Sequence, residues 1–162
     1  MIRVIPFLLY LVLIAMHQVI TRDLTTIYGM SINLAALIVI MVAIYKTEMT
    51  SLWFGLVAGL VMAAGLPAQM GWLALLMAVI GAISFNMRTR LNLDSIYSKL
   101  LLVFGGVLVF NIFSLIIFQY DDVLFLAVTH ALGGAIYTTV VAWLFFLVKE
   151  HRLTVEKVRS IF

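Results

Sequence analysis

The chain has 162 residues, of which 65% are hydrophobic and 10% are charged, and its mean hydropathy is +1.22. About a quarter of the residues of an ordinary soluble domain are charged, so this composition excludes a water-soluble fold and predicts a membrane protein. The net charge is +3, and there are no cysteines, which excludes disulfides and thiolate metal sites. Strand-like alternation is absent, which predicts an all-α fold rather than a membrane barrel.

Uncharged runs mark the expected membrane spans, because a helix needs about 20 apolar residues to cross the hydrocarbon core. The run at 49–87 has 39 residues, enough for two crossings, and Pro67 is expected to end the first of them. The sequence therefore predicts one domain, 1–162, with a short tail at 149–162. Its six transmembrane helices are predicted at about 4–21, 30–45, 50–65, 69–86, 99–118 and 123–148.

Basic residues indicate the orientation of these spans. With six crossings, both termini and the loops after the second and fourth spans share one side. Nine of the ten basic residues fall there, and only Arg22 falls on the other side. Lys and Arg are enriched in cytoplasmic loops, so both termini are predicted to be cytoplasmic. Anionic membrane lipids are the expected partners of this charge, and no nucleic acid is expected.

No catalytic or metal-binding constellation stands out. His17, His130 and His151 lie in separate segments, without the acidic neighbours at i+1 or i+4 that a zinc motif would supply. Apart from Lys99, the first residue of the fifth span, no acidic or basic residue lies inside a predicted span, whereas proton relays and ion pumps need such groups at membrane depth. The sequence therefore predicts no catalytic residue, no metal and no cofactor.

Two polar residues fall at similar depth in the predicted hairpin of the last two spans. Counted from its tip, Asn111 and His130 both lie roughly 12–15 Å into the membrane. We expect a buried polar pair whose interhelical hydrogen bond is worth on the order of 1 kcal/mol. The alternative is that the two side chains contact a ligand near the outer surface.

The stretch FGLVAGLVMAAGLPAQMG, residues 54–71, carries small residues at regular spacing. Gly55, Gly59 and Ala63 recur at every fourth position and so share one face of a helix, and Gly71 follows the turn at Pro67. Small residues let helix backbones approach closely in lipid, where packing rather than the hydrophobic effect joins helices. This pattern predicts a packing face within the bundle or, alternatively, a face for a partner's helix.

The same stretch, with residues 31–53 before it, resembles the rod shape-determining protein family MreD. The resemblance rests on an F-G-x-x-x-G pattern, a tight turn and a following glycine, here Phe54, Gly55, Gly59 and Gly71. The length, the six spans and the short inner loops agree over most of the chain. Many members carry an aspartate where Ala63 stands, and an asparagine in the last span where His130 stands.

What this resemblance implies is a non-enzymatic scaffold of the cell-elongation machinery in the bacterial inner membrane, without a cofactor. It implies contact with an MreC-like single-span protein and, through it, with the actin-like MreB filament and the peptidoglycan synthases. The MreD fold is similar to the substrate-binding S components of energy-coupling-factor vitamin transporters. The expected fold is thus an S-component-like bundle, and an S component is the alternative function.

Two features discriminate between these functions. S components dock through small residues spaced by four on the first span, where this chain offers only Ala15. A vitamin pocket also needs several converging polar groups, and the candidates here are sparse. They are His17, Gln18, Asn33, Trp72, Asn111 and His130. Both features favour the scaffold and leave open a small ligand in the outer half of the bundle.

Overall fold

The computed structural model describes residues 5–21, 30–91, 95–118 and 127–149, and most of these residues are helical. The all-α prediction is confirmed for this part of the chain, and the predicted tail beyond Lys149 lies outside it. The six main helices are α1 (Ile5–Met16), α2 (Leu34–Tyr45), α3 (Glu48–Met62), α4 (Met70–Arg90), α5 (Ile96–Phe118) and α6 (Gly133–Lys149). A π-helical turn, His17–Thr21, continues α1, and another, Ala127–Leu132, precedes α6.

Helix length separates these elements into two groups. Three helices are long and apolar enough to cross a membrane, namely Pro67–Arg90, Ile96–Ile117 and His130–Lys149. The other three are apolar but shorter, namely Ile5–Ile20, Leu34–Tyr45 and Glu48–Met62. The three long helices indicate a membrane protein.

The short helix α2 occupies the centre of the bundle. Nine of its twelve residues are buried, and α3, α4 and α5 pack around it. A helix that is apolar on all sides is stable only when neighbours surround it. Twelve residues extend about 18 Å at 1.5 Å per residue, so α2 is well short of the hydrocarbon thickness of about 30 Å.

The start of α2 is set by one polar side chain. The second span was predicted at 30–45, whereas the helix begins at Leu34. Asn33 precedes it, and its Oδ1 accepts a hydrogen bond of 3.1 Å from the backbone N–H of Ala36. Such an N-cap satisfies one of the four N–H groups that lack a partner at the beginning of a helix. The cap thus fixes where the extended segment 31–33 gives way to α2.

Backbone contact joins α3 to α4. The chain turns at 63–65, and a short 3-10 helix, Pro67–Gln69, leads into α4. A Cβ atom built on Gly55 would lie 2.5 Å from the Met77 carbonyl oxygen, and one built on Gly59 would lie 2.5 Å from the Ala74 Cα. No side chain fits into such distances, so glycine is what allows the two helices to meet. This face of α3 is therefore used inside the bundle.

Basic residues within the described ranges lie at one end of the bundle, where α2, α4 and α6 end and α5 begins. The Arg88 guanidinium donates a hydrogen bond of 2.8 Å to the Lys46 carbonyl. The Lys149 Nζ lies 3.2 Å from the centroid of the Tyr45 ring, and the Lys99 Nζ lies 5.9 Å from that of Phe146. These contacts bring the four helix ends together into one positively charged surface.

The glycine contact gives a first prediction. Replacing Gly59→Ala should destabilise the protein by about 1–3 kcal/mol, because the added methyl group meets backbone atoms that cannot move aside. The matched control is Gly105→Ala in α5, where a Cβ atom has no neighbour within 4 Å. That control should stabilise slightly, since alanine is favoured over glycine in helices. Thermal unfolding in detergent measures both, and equal shifts would contradict the contact described.

Candidate functional site

A polar cavity lies around the beginning of α2. Its volume is about 220 Å³, and its polar walls come from the π-helical turn after α1, the segment 31–33, α5 and the π-helical turn before α6. The polar residues that line it are His17, Gln18, Ser31, Asn33, Asn111, Ser114 and His130. Polar side chains converge here in a bundle that is otherwise apolar, so this cavity is the candidate functional site.

Asn33 is the centre of a hydrogen-bond network on one side of the cavity. Its Nδ2 donates to the Asn111 Oδ1 at 3.0 Å, and its backbone N–H donates to the Thr138 Oγ1, also at 3.0 Å. The Nδ2 of Asn111 in turn donates to the Ala131 carbonyl at 3.3 Å. The two asparagines thus bind to each other and to the backbone of the bundle, and they join α2, α5 and α6 at one point.

Thr138 takes part in this network because α6 packs closely against the segment 31–33. A Cβ atom built on Gly134 would lie 3.1 Å from the Ser31 carbonyl oxygen, so α6 approaches the extended segment closely. Thr138 is completely buried, and its hydroxyl also donates to the Gly134 carbonyl at 2.7 Å. The hydroxyl therefore has both a donor and an acceptor partner, as a buried polar group requires.

The predicted buried pair of Asn111 and His130 is not what the structure contains. Asn111 is half-buried and bonds to Asn33 and to the carbonyl of Ala131, whereas His130 is exposed on the cavity wall. The prediction counted residues at α-helical spacing, but His130 lies in a π-helical turn. The wider turn changes the direction in which successive side chains point. Both residues still line the same cavity.

Of the six polar candidates named from the sequence, five line this cavity. The exception is Trp72, which is exposed at the beginning of α4. Ser31 and Thr138 were missed, because an isolated hydroxyl in an apolar stretch gives no signal of its own. The signal that could have located the network is Asn33, since an asparagine directly before an apolar helical run is typical of an N-cap.

The small residues predicted to form one packing face, Gly55, Gly59, Ala63 and Gly71, do not all lie in the same environment. Gly55 and Gly59 contact α4, and Ala63 is completely buried at the end of α3. Gly71 lies apart from them: it is exposed, and a Cβ atom built on it would meet nothing within 4 Å. The packing within the bundle therefore involves the first three residues.

The described part of the chain holds no group of three or more His, Cys, Asp or Glu side chains arranged to bind a metal ion. Comparison with protein-family models, with curated proteins and with solved structures returned no match. Function therefore has to be inferred from the geometry of this chain and from the resemblance of its motif.

The network predicts different roles for the two residues of the expected pair. Asn111→Leu keeps the volume but leaves the Asn33 amide and the Ala131 carbonyl without their partner, which should cost about 1–3 kcal/mol. His130→Leu changes an exposed side chain and should alter stability by less than about 0.5 kcal/mol. Thermal unfolding of the two variants in the same detergent tests this order. A larger loss for His130→Leu would show that the histidine has the structural role.

Proposed function

We propose that this chain is a non-enzymatic scaffold of the bacterial cell-elongation machinery, of the kind found in the MreD family. The proposal rests on the helix contacts that the motif residues make. Phe54 is buried, and the rings of Phe7 and Tyr10 on α1 lie 5.8 and 6.4 Å from its ring. Gly55 and Gly59 allow the backbone of α3 to contact that of α4. Three of the four residues that carry the resemblance, Phe54, Gly55 and Gly59, thus join α1, α3 and α4, whereas Gly71 does not.

This use of the motif bears on where a partner binds. The backbone contact of Gly55 and Gly59 with α4 leaves no room for a second helix on that face. Partner helices, such as that of an MreC-like single-span protein, therefore bind to outward faces of the bundle. One such face runs along α4, where large apolar side chains are exposed on successive turns, namely Trp72, Leu75, Val79 and Ile83.

The proposed topology has six crossings of the inner membrane, with both termini in the cytoplasm. The positively charged end of the bundle supports this orientation, because basic residues concentrate on the cytoplasmic side. The internal cap of α2 supports the crossing of a short helix, since backbone groups that end at membrane depth must be bonded within the protein.

Single cysteines test this topology directly, because the natural chain contains none. Thr89→Cys and Ala68→Cys place exposed thiols near the two ends of α4. A membrane-impermeant thiol reagent added to spheroplasts should label Ala68→Cys at once, and Thr89→Cys only after the membrane is permeabilised. Labelling of both variants from outside would contradict the six-span topology.

A second candidate, the S component of a vitamin transporter, is favoured by one observation. Five of the polar candidates line one cavity, as a binding site for a small polar molecule requires. Two observations weigh against it. The cavity volume of about 220 Å³ is below the roughly 300 Å³ at which ligand pockets usually begin. The two asparagines already bind to the protein itself.

Purification from native membranes distinguishes the two functions. We expect the tagged protein, extracted in mild detergent, to recover an MreC-like single-span protein together with peptidoglycan synthases. Gly105→Ala should recover the same partners, whereas Gly59→Ala should lose them as its bundle loosens. Recovery of ATPase subunits and a bound vitamin, identified by mass spectrometry, would instead establish the S component.

A further inference from the structure

An apolar groove of about 460 Å³ runs along α2 between α1 and α6. On α1, Phe7 and Tyr10 line this groove and also contact Phe54 on α3. The floor is formed by α2, and the walls are apolar side chains such as Leu13 on α1 and Val141 on α6. The groove is thus a gap between helices rather than part of the polar cavity.

Two lysines stand at one end of this groove. Lys46 and Lys149 both line it, and both are exposed. Aromatic rings hold their ammonium groups at the rim: the Lys149 Nζ lies 3.2 Å from the centroid of Tyr45, and the Lys46 Nζ lies 5.8 Å from that of Phe7. Glu48 is the only acidic residue in the described ranges, and it is not among the residues that line the groove. Within those ranges the lining therefore carries two positive charges and no acidic side chain.

The dimensions of the groove indicate what fits into it. From Leu34 to Lys46 the floor is about 18 Å long, close to the roughly 15 Å that one leaflet contributes to the hydrocarbon core. Its volume of about 460 Å³ is far below the roughly 1,400 Å³ that a helix about 10 Å across occupies over 18 Å. A helix with its side chains is about 10–12 Å across, so a partner helix does not fit. A single acyl chain does.

We propose that this groove binds one anionic phospholipid. An acyl chain lies along α2, and the phosphate is held between Lys46 and Lys149. Basic residues between helices at a membrane surface are the known means of recognising anionic headgroups, and the apolar floor supplies the contact for the chain. In the proposed topology this lipid belongs to the cytoplasmic leaflet. The site is independent of the scaffold function, because it requires only that the bundle lie in a membrane.

Native mass spectrometry of the purified protein, titrated with phosphatidylglycerol or with neutral phosphatidylcholine, tests the proposal. The wild type should bind phosphatidylglycerol more tightly than phosphatidylcholine. Lys46→Gln and Lys149→Gln should each weaken phosphatidylglycerol binding about fivefold, since each lysine contributes separately to attraction of the headgroup. Arg90→Gln is the matched control, because it removes one charge from the same end of the bundle without lining the groove. It should bind like the wild type.

A fourth variant tests the acyl chain separately from the charge. Val141→Trp fills the groove from α6 and should reduce binding of both lipids at least fivefold while both lysines remain. Its melting temperature without added lipid, compared with those of the wild type and of Val141→Leu, which keeps an aliphatic side chain in the wall, shows whether the bundle itself is intact. Equal losses for Arg90→Gln and the lysine variants would overturn the proposal, and so would wild-type binding by a folded Val141→Trp protein.

Discussion

The fold depends on satisfying the half-buried beginning of α2. This helix extends about 18 Å, so in the proposed topology its first turn lies at membrane depth. Each unsatisfied backbone group there would cost several kcal/mol. Asn33 supplies the cap, and Asn111 and Thr138 hold Asn33 in place from α5 and α6. Polar side chains are concentrated at this depth because the end of a short central helix requires them.

The remaining contacts follow from the position of α2 at the centre. Gly55 and Gly59 bring α3 and α4 together on one side of it, and Phe54 draws α1 towards α3. Between α1 and α6 a narrow groove remains over α2, whose floor residues Leu37, Ile38 and Val42 are largely buried. One arrangement therefore explains a tight hairpin, a small polar cavity and an open apolar groove. The polar residues of the cavity have a structural role in capping α2, so the proposed partner and lipid surfaces are the outer helix faces and the groove.

Much of this architecture could be predicted from the sequence, because the signals are local. The described helices lie close to the uncharged runs and to the break at Pro67, and Gly55 and Gly59 lie at a close helix contact. The late start of α2 was missed although its cap is local. The other partners of Asn33 could not be predicted, because Asn111 and Thr138 lie 78 and 105 residues away along the chain. His130 was expected in a buried pair but is exposed, and it lies in a π-helical turn that no local pattern indicated. The groove depends on how α1, α2 and α6 pack together, which no local pattern encodes.

The most direct test of this account is a double-mutant cycle on the two asparagines. The free energy of unfolding would be measured for the wild type, Asn33→Ala, Asn111→Ala and the double variant in one detergent. Because the side chains bind each other, we predict a coupling energy of about 1 kcal/mol, so that the second substitution costs less once the first is made. Losses that add within about 0.3 kcal/mol would contradict it, since Asn111 would then not be what anchors the cap of α2.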